Sequence, residues 1–135
     1  MDAIYVAAGG FIGAILRYML SITFADTNFP IVTFSINLSG SFIIGFVLVI
    51  AMERPSISPN FRFFFATGLL GAFTTFSTYT LQTLKLLNEG YILTALNYYL
   101  WSVILGIIFA IVGAQIARQF IYYFEIKRSS LRDEE

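Results

Sequence analysis

Four long stretches, each about the length that crosses a bilayer, take up most of the chain and leave only short connections between them. They run over 3–24 (interrupted by Arg17), 33–52, 63–84 and 91–124 (interrupted by Arg118). A hydrocarbon core roughly 30 Å thick takes about 20 apolar residues per helix. A chain in lipid must satisfy its backbone hydrogen bonds internally, and segments of this kind do so as helices. The expected fold is an all-α membrane protein: a four-helix transmembrane domain over 1–124, then a charged tail over 125–135. Turn and polar residues mark the connections at Asp26-Thr27-Asn28-Phe29-Pro30, from Glu53-Arg54-Pro55 to Pro59-Asn60, and at Asn88-Glu89-Gly90.

The remaining composition removes most chemistry. The chain is 58% hydrophobic and 12% charged, has a mean hydropathy of +0.79, and contains neither cysteine nor histidine. Thiol catalysis, thiolate metal sites and imidazole acid–base chemistry are therefore excluded. Eight basic and eight acidic residues cancel, so charge gives no reason to expect nucleic acid. No nucleophile–base pair, paired carboxylates or phosphate-binding glycine–lysine loop can be assembled, and an enzyme is not expected. The apolar start lacks a basic flank and is followed by further spans, so it reads as a first helix rather than a cleaved signal.

Helices in lipid associate by close backbone approach, and small residues four apart mark contact faces at Gly9 and Gly13, at Ser41 and Gly45, and at Gly106, Ala110 and Ala114. The third span shows this pattern least plainly, and packing alone accounts for it elsewhere. Tyr91 at one end of the last span and Tyr122 with Tyr123 at the other suit the two interfacial aromatic belts. Four spans put both termini on one side. That side carries Arg54, Lys127, Arg128 and Arg132, with Arg62 and Arg118 near the same boundary, against Lys85 and at most Arg17 opposite. The bias of basic residues predicts cytoplasmic termini in a multi-pass protein of the cell membrane.

The third span is the anomaly. From Gly68 to Thr80 it holds two glycines and five serine or threonine residues, which weaken a uniform helix. One reading is a helix interrupted near its middle, with freed backbone groups turned toward protein or a watery path. The other is a continuous helix whose hydroxyls bond back to carbonyls four residues earlier; the doubled glycine favours the interruption. Asn37, with Ser41 one turn along the same face, is the other costly placement. Its amide either joins helices or offers N–H donors to an anion. No acidic residue lies within a span, although proton-coupled carriers and cation pathways depend on them. Neutral donors and the positive edges of aromatic rings suit a small anion instead.

These residues resemble the Fluc/CrcB fluoride channels over nearly the whole chain. Three blocks carry the resemblance: Gly9-Gly10 to Gly13-Ala14 with Arg17-Tyr18, then Asn37-Leu38-Ser39-Gly40-Ser41-Phe42 with Gly45, then Gly71 through Tyr79. Within the last, Thr74-Thr75-Phe76-Ser77-Thr78-Tyr79 is similar to the family signature TTFSTF and is the most specific piece. The resemblance implies an antiparallel, dual-topology dimer with two narrow pores that moves fluoride passively out of the cytoplasm and relieves its toxicity. It implies Asn37 as a pore donor, Phe76 and Tyr79 as a pair of ring edges, and Ser77 and Thr78 as nearby hydroxyls. Arg17 would draw anions into a vestibule, a placement that snorkelling explains equally well. Gly71 and Thr74 would give backbone carbonyls to a structural sodium ion at the dimer centre. Taken without its motif, Phe76 reads as a core or lipid-facing phenylalanine.

Two departures from the family pattern matter. Tyr79 stands where the family usually has phenylalanine, and its added hydroxyl can donate to fluoride, fill the pore or bond elsewhere. The family's fourth span usually carries polar residues one turn apart, whereas Ser102 is followed at that spacing by Gly106 and Ala110. Ser102 is then the remaining pore group on that helix. A subunit inserting both ways round needs balanced basic loops, and this one is lopsided, so a heterodimer with an oppositely inserted homologue is expected beside the homodimer. Two rival functions remain: a small four-helix drug/proton antiporter, against which the missing intramembrane glutamate argues, and a non-conducting subunit that completes a paired homologue's pore.

Overall fold

A computed structural model describes residues 2–24, 29–54 and 57–132, with side chains to residue 126. The expected turn residues Asp26, Thr27, Asn28 and Pro55, the side chains of Lys127, Arg128 and Arg132, and the end of the tail at 133–135 lie outside the described residues. In chain order the elements are α1 (Asp2–Thr23), α2 (Ile31–Glu53), α3 (Pro59–Arg62), a π-helical stretch over Phe63–Leu70, α4 (Gly71–Phe73), α5 (Phe76–Asn88) and α6 (Ile92–Arg132). Three of them, α1, α2 and the part of α6 up to Ile126, are long and apolar enough to cross a membrane. The chain is an all-helical membrane protein. Only 11% of the apolar stretch of α1 and of α6, and 22% of that of α2, is buried inside the chain, which leaves most of their apolar surface uncovered by the chain itself. At 41 residues, α6 is about 61 Å long, twice the thickness of a hydrocarbon core.

Local signals account for the helix ends that can be followed. Pro59 opens α3 at a position where its missing N–H is not needed. Gly90 closes α5 with φ at +84°, a backbone shape that side chains resist. The Tyr91 N–H then reaches the Leu86 carbonyl at 2.9 Å, and the Gly90 N–H reaches that of Leu87 at 3.1 Å, which satisfies the last turn.

The helices pair in two seams. α2 and α6 run parallel, with Phe34 beside Tyr98 at one end and Glu53 bonded to Arg118 at the other. Their backbones touch where side chains are absent: a Cβ on Gly45 would strike the Ala110 carbonyl, and one on Gly113 would strike that of Phe42. α1 likewise runs beside the third span, where Gly9 and Gly13 lie against the backbone at Phe64 and Leu69. The third span contributes its own contact glycine. A Cβ on Gly68 would come within 2.6 Å of the Val6 carbonyl, so the least plain small-residue pattern belongs to one of the tightest contacts.

Aromatic rings tie the two seams together at the end away from the termini. Tyr98 is fully buried, with Phe29 and Tyr79 at 5.4 and 5.2 Å between ring centroids. Its hydroxyl donates to Gln82 Oε1 at 3.1 Å. At the opposite end, Arg54 donates through Nη2 to the Ile121 carbonyl at 3.3 Å.

Candidate functional site

Regular winding in the third span stops at Phe73. Thr74 (φ −74°, ψ 157°) and Thr75 (φ −145°, ψ 119°) are extended, and α5 begins at Phe76. Asn37 on α2 supplies what the backbone loses. Its Nδ2 donates to the Thr75 carbonyl at 3.0 Å, and its Oδ1 accepts the Thr75 N–H at 2.9 Å. An unbroken helix would give that N–H to the Gly71 carbonyl. Thr74 Oγ1 donates to the Leu70 carbonyl at 2.9 Å. Thr75 caps α5, its hydroxyl accepting the Thr78 N–H at 3.2 Å and donating to Thr78 Oγ1 at 2.9 Å. Gly40, almost one turn beyond Asn37, leaves room for the Thr74 methyl, which a Cβ would displace.

A cavity of about 300 Å³ opens on this stop, with Asn37, Ser41, Thr75, Phe76, Tyr79 and Ser102 in its lining. Its polar groups are neutral. One N–H of the Asn37 amide is left over after the bond to Thr75, and the Ser102 Oγ is buried without a hydrogen-bond partner among the described residues. The expected ring pair is brought together, with Phe76 and Tyr79 at 5.9 Å between centroids, but on unequal terms. Tyr79 is 5% exposed, whereas Phe76 is 79% exposed and projects from the chain. Of the outcomes open to the Tyr79 hydroxyl, bonding elsewhere is the one found: it donates to the Tyr99 carbonyl at 3.1 Å. The Tyr99 ring stacks on that of Tyr79 at 6.0 Å.

The other expected residues fall around this centre. Ser77 and Thr78 are absent from the lining of the Phe76 cavity; Ser77 is exposed, with its Oγ 3.5 Å from Thr75 Oγ1. Thr78 lines a second cavity of about 260 Å³, shared with Arg17, Ser21, Thr33 and Thr75. Thr75 thus borders both cavities, and Arg17 faces the stop from α1. Gly71 is exposed and Thr74 half-buried, its methyl against Gly40. The thinned track on α6 has a packing counterpart: Gly106 lies beside Ser41, and Ala110 beneath Gly45.

Sequence reasoning missed Gly40, Thr33, and the Tyr98–Tyr99 pair that holds Tyr79. The spacing of Asn37 and Gly40 on one face of α2 was a readable signal for a cradle. Nothing in the order of residues announced that Tyr98 and Tyr99 would face Tyr79.

Comparison with known proteins gives this geometry a lineage. Residues 4–114 match the family described as CrcB-like protein, Camphor Resistance (CrcB). The chain belongs to the CrcB-like family. Among similar proteins, one from Roseiflexus sp. (strain RS-1), named fluoride-specific ion channel FluC, is 46% identical over 121 residues, covering 87% of this chain and 98% of the relative. One of the same name from Chlorobium phaeobacteroides (strain BS1) is 39% identical over 115 residues, covering 84% and 90%. Another of that name, from Helicobacter pylori (strain J99), is 43% identical over 123 residues, covering 87% and 94%. The CrcB-like match includes Arg17, Asn37, the whole stop and Ser102, and ends within α6.

Proposed function

We propose that this CrcB-like chain is a subunit of a fluoride-selective channel that lets the ion flow passively out of the cytoplasm and so relieves its toxicity. The lining of the cavity at Thr74–Phe76 carries the reading. An Asn37 N–H, the Ser102 hydroxyl and the edges of Phe76 and Tyr79 offer partial positive charge without a formal charge, which replaces the hydration of a small anion without trapping it. The names of the relatives support the same ion. Arg17 draws anions toward the stop from the neighbouring cavity, with Ser77 and Thr78 as hydroxyls along the approach.

In this reading the interruption at Thr74–Thr75 is the functional break of the third span, and the subunit works as an antiparallel dimer in the cell membrane with its termini in the cytoplasm. Phe76, 79% exposed, leaves one wall of the cavity to a second subunit inserted the other way round. The lopsided basic residues favour a homologue of opposite bias over a second copy, with one of two pores degraded. A sodium ion at the dimer centre fits the residues present. The Thr75 N–H is turned to Asn37, which leaves the Gly71 carbonyl without its usual helical donor, and Gly71 is exposed where a partner would meet it. With the Thr74 carbonyl it supplies neutral oxygens, the donors that alkali cations take. The ion would hold the break and the subunit contact in place.

The test is fluoride efflux from liposomes holding the purified chain, followed with a fluoride electrode and a chloride control. Selective efflux is the expected result from the chain together with its homologue. Full conduction by the chain alone would overturn the heterodimer, and folded protein that passes no fluoride in either arrangement would overturn the channel.

A further inference from the structure

A serine inside a helix commonly gives its hydroxyl hydrogen to a carbonyl three or four residues earlier. In this chain Ser21 donates to the Tyr18 carbonyl at 2.7 Å and Ser39 to that of Ile36 at 3.1 Å, each three residues back. Thr74, Thr80 and Thr83 use the carbonyl four back. Ser102 does neither, and its Oγ is buried without a partner among the described residues. The carbonyl three residues before it is that of Tyr99. The hydroxyl of Tyr79 already donates to this oxygen at 3.1 Å, and the helical N–H of Val103 is its other donor, so both lone pairs are taken.

We infer that Tyr79 acts on the conduction path through Ser102: its hydroxyl occupies the Tyr99 carbonyl and so removes one of the two helical acceptors, the carbonyls of Tyr98 and Tyr99, onto which the Ser102 hydroxyl could fold back away from the cavity. The inference rests on the channel reading and deepens it. Tyr79 is a positioning residue in this role, separate from what its ring edge contributes. Ser102 lines the cavity with Asn37, Thr75 and Phe76, and α6 has only Gly106 and Ala110 at the next two turns. One free hydroxyl on that helix therefore matters more here than on a helix with a full polar ladder. A phenylalanine at 79 would leave the ring in place, release the Tyr99 carbonyl and let Ser102 fold back on it.

A double-mutant cycle in liposomes tests this, with Tyr79→Phe, Ser102→Ala and the pair compared by fluoride efflux in the dimer that conducts. Ser102→Ala alone should slow efflux about tenfold, near the worth of one hydrogen bond to an ion. Tyr79→Phe should slow it by a similar factor, and adding Ser102→Ala to it should cost less than about twofold. Wild-type flux in Tyr79→Phe, or losses that multiply in the pair, would overturn the inference. A second readout needs no conduction. Ser102→Ala should leave the melting temperature of the detergent-purified chain unchanged or raise it, yet lower it by about 3 °C in the Tyr79→Phe background, where Ser102 has gained a bond. Equal effects in both backgrounds would overturn the inference. If wild-type protein passes no fluoride, the channel reading fails while the melting cycle still decides the relation between Tyr79 and Ser102.

Discussion

The seam between α2 and α6 and the stop at Thr74–Thr75 use the same small and hydroxylated residues to opposite ends. In the seam, Gly45 and Gly113 let backbone lie on backbone. The helices there keep their own backbone hydrogen bonds. At the stop, the Thr75 N–H gives up its helical acceptor, Asn37 takes it and donates to the Thr75 carbonyl as well, and Ser102, beside the cavity, has no partner among the described residues. A seam can be dense because it has nothing to offer an ion. A conduction site has to leave some donors unmet, and a side chain from another helix has to cover the backbone it exposes.

Substitutions separate the two regions by what they disturb. Gly45→Leu should have the largest effect, because its Cβ would meet the Ala110 carbonyl and helix α6 would have to move. A loss of about 3 kcal/mol or more is expected, seen as aggregated protein in size-exclusion chromatography and no efflux at all. Recovery of folded, conducting protein would mean that the seam is looser than its backbone contacts imply.

Asn37 offers the sharper cut. Asn37→Asp keeps an acceptor for the Thr75 N–H but loses the donor to the Thr75 carbonyl, and it puts a carboxylate beside the proposed path of the anion. Efflux should fall at least about a hundredfold by electrostatic repulsion alone. Asn37→Ala leaves the Thr75 N–H unmatched and takes one of two donors from the Thr75 carbonyl, which as the cap of α5 still accepts the Tyr79 N–H, and should cost about 1–2 kcal/mol in stability as well. Comparing the two by efflux and thermal melting distinguishes a residue that only braces the break from one that also meets the ion. Similar flux in both variants would make Asn37 a brace alone.

Gly40→Ala is intermediate. The added methyl meets the methyl of Thr74, whose hydroxyl is tied to the Leu70 carbonyl, so Thr74 must turn and give up that bond. About 1 kcal/mol of stability should be lost with roughly tenfold in efflux. Unchanged efflux would separate the shape of the stop from conduction.

The seams were half legible in the sequence, and the site was legible in its parts. Gly9, Gly13, Ser41, Gly45, Gly106 and Ala110 announce contact faces by spacing alone, because a period of four residues stacks them on one side of a helix. Gly68 and Gly113 make the same kind of contact with backbone atoms without having stood out. Thr75, Ser77 and Thr78 show hydroxyls beside a weakened helix, and Asn37 shows a polar group that needs a partner. That the partner is Thr75 depends on the crossing of α2 and the third span. Similarly, the extra hydroxyl of Tyr79 was visible as a departure, but the Tyr99 carbonyl that receives it belongs to a helix twenty residues away. Spacing within one helix can be read from sequence; bonds between helices require their crossing to be known.

The smallest effect is expected at the end of the α2–α6 seam, where Arg118 meets Glu53 at 3.1 Å. It is also the contact with the most formal charge. Both side chains are about half exposed, at 56% and 42%, so water and headgroups screen the pair and each charge is solvated without the other. Arg118→Ala should cost about 0.5 kcal/mol or less and leave efflux unchanged. The parallel pairing of α2 and α6 would persist, because Gly45 and Gly113 set it by shape and Arg54 still reaches the Ile121 carbonyl one turn away. Thermal melting and efflux of this variant test whether the seam owes its register to close backbone approach. A fall in melting temperature as large as that of Gly40→Ala would assign part of the register to the ion pair.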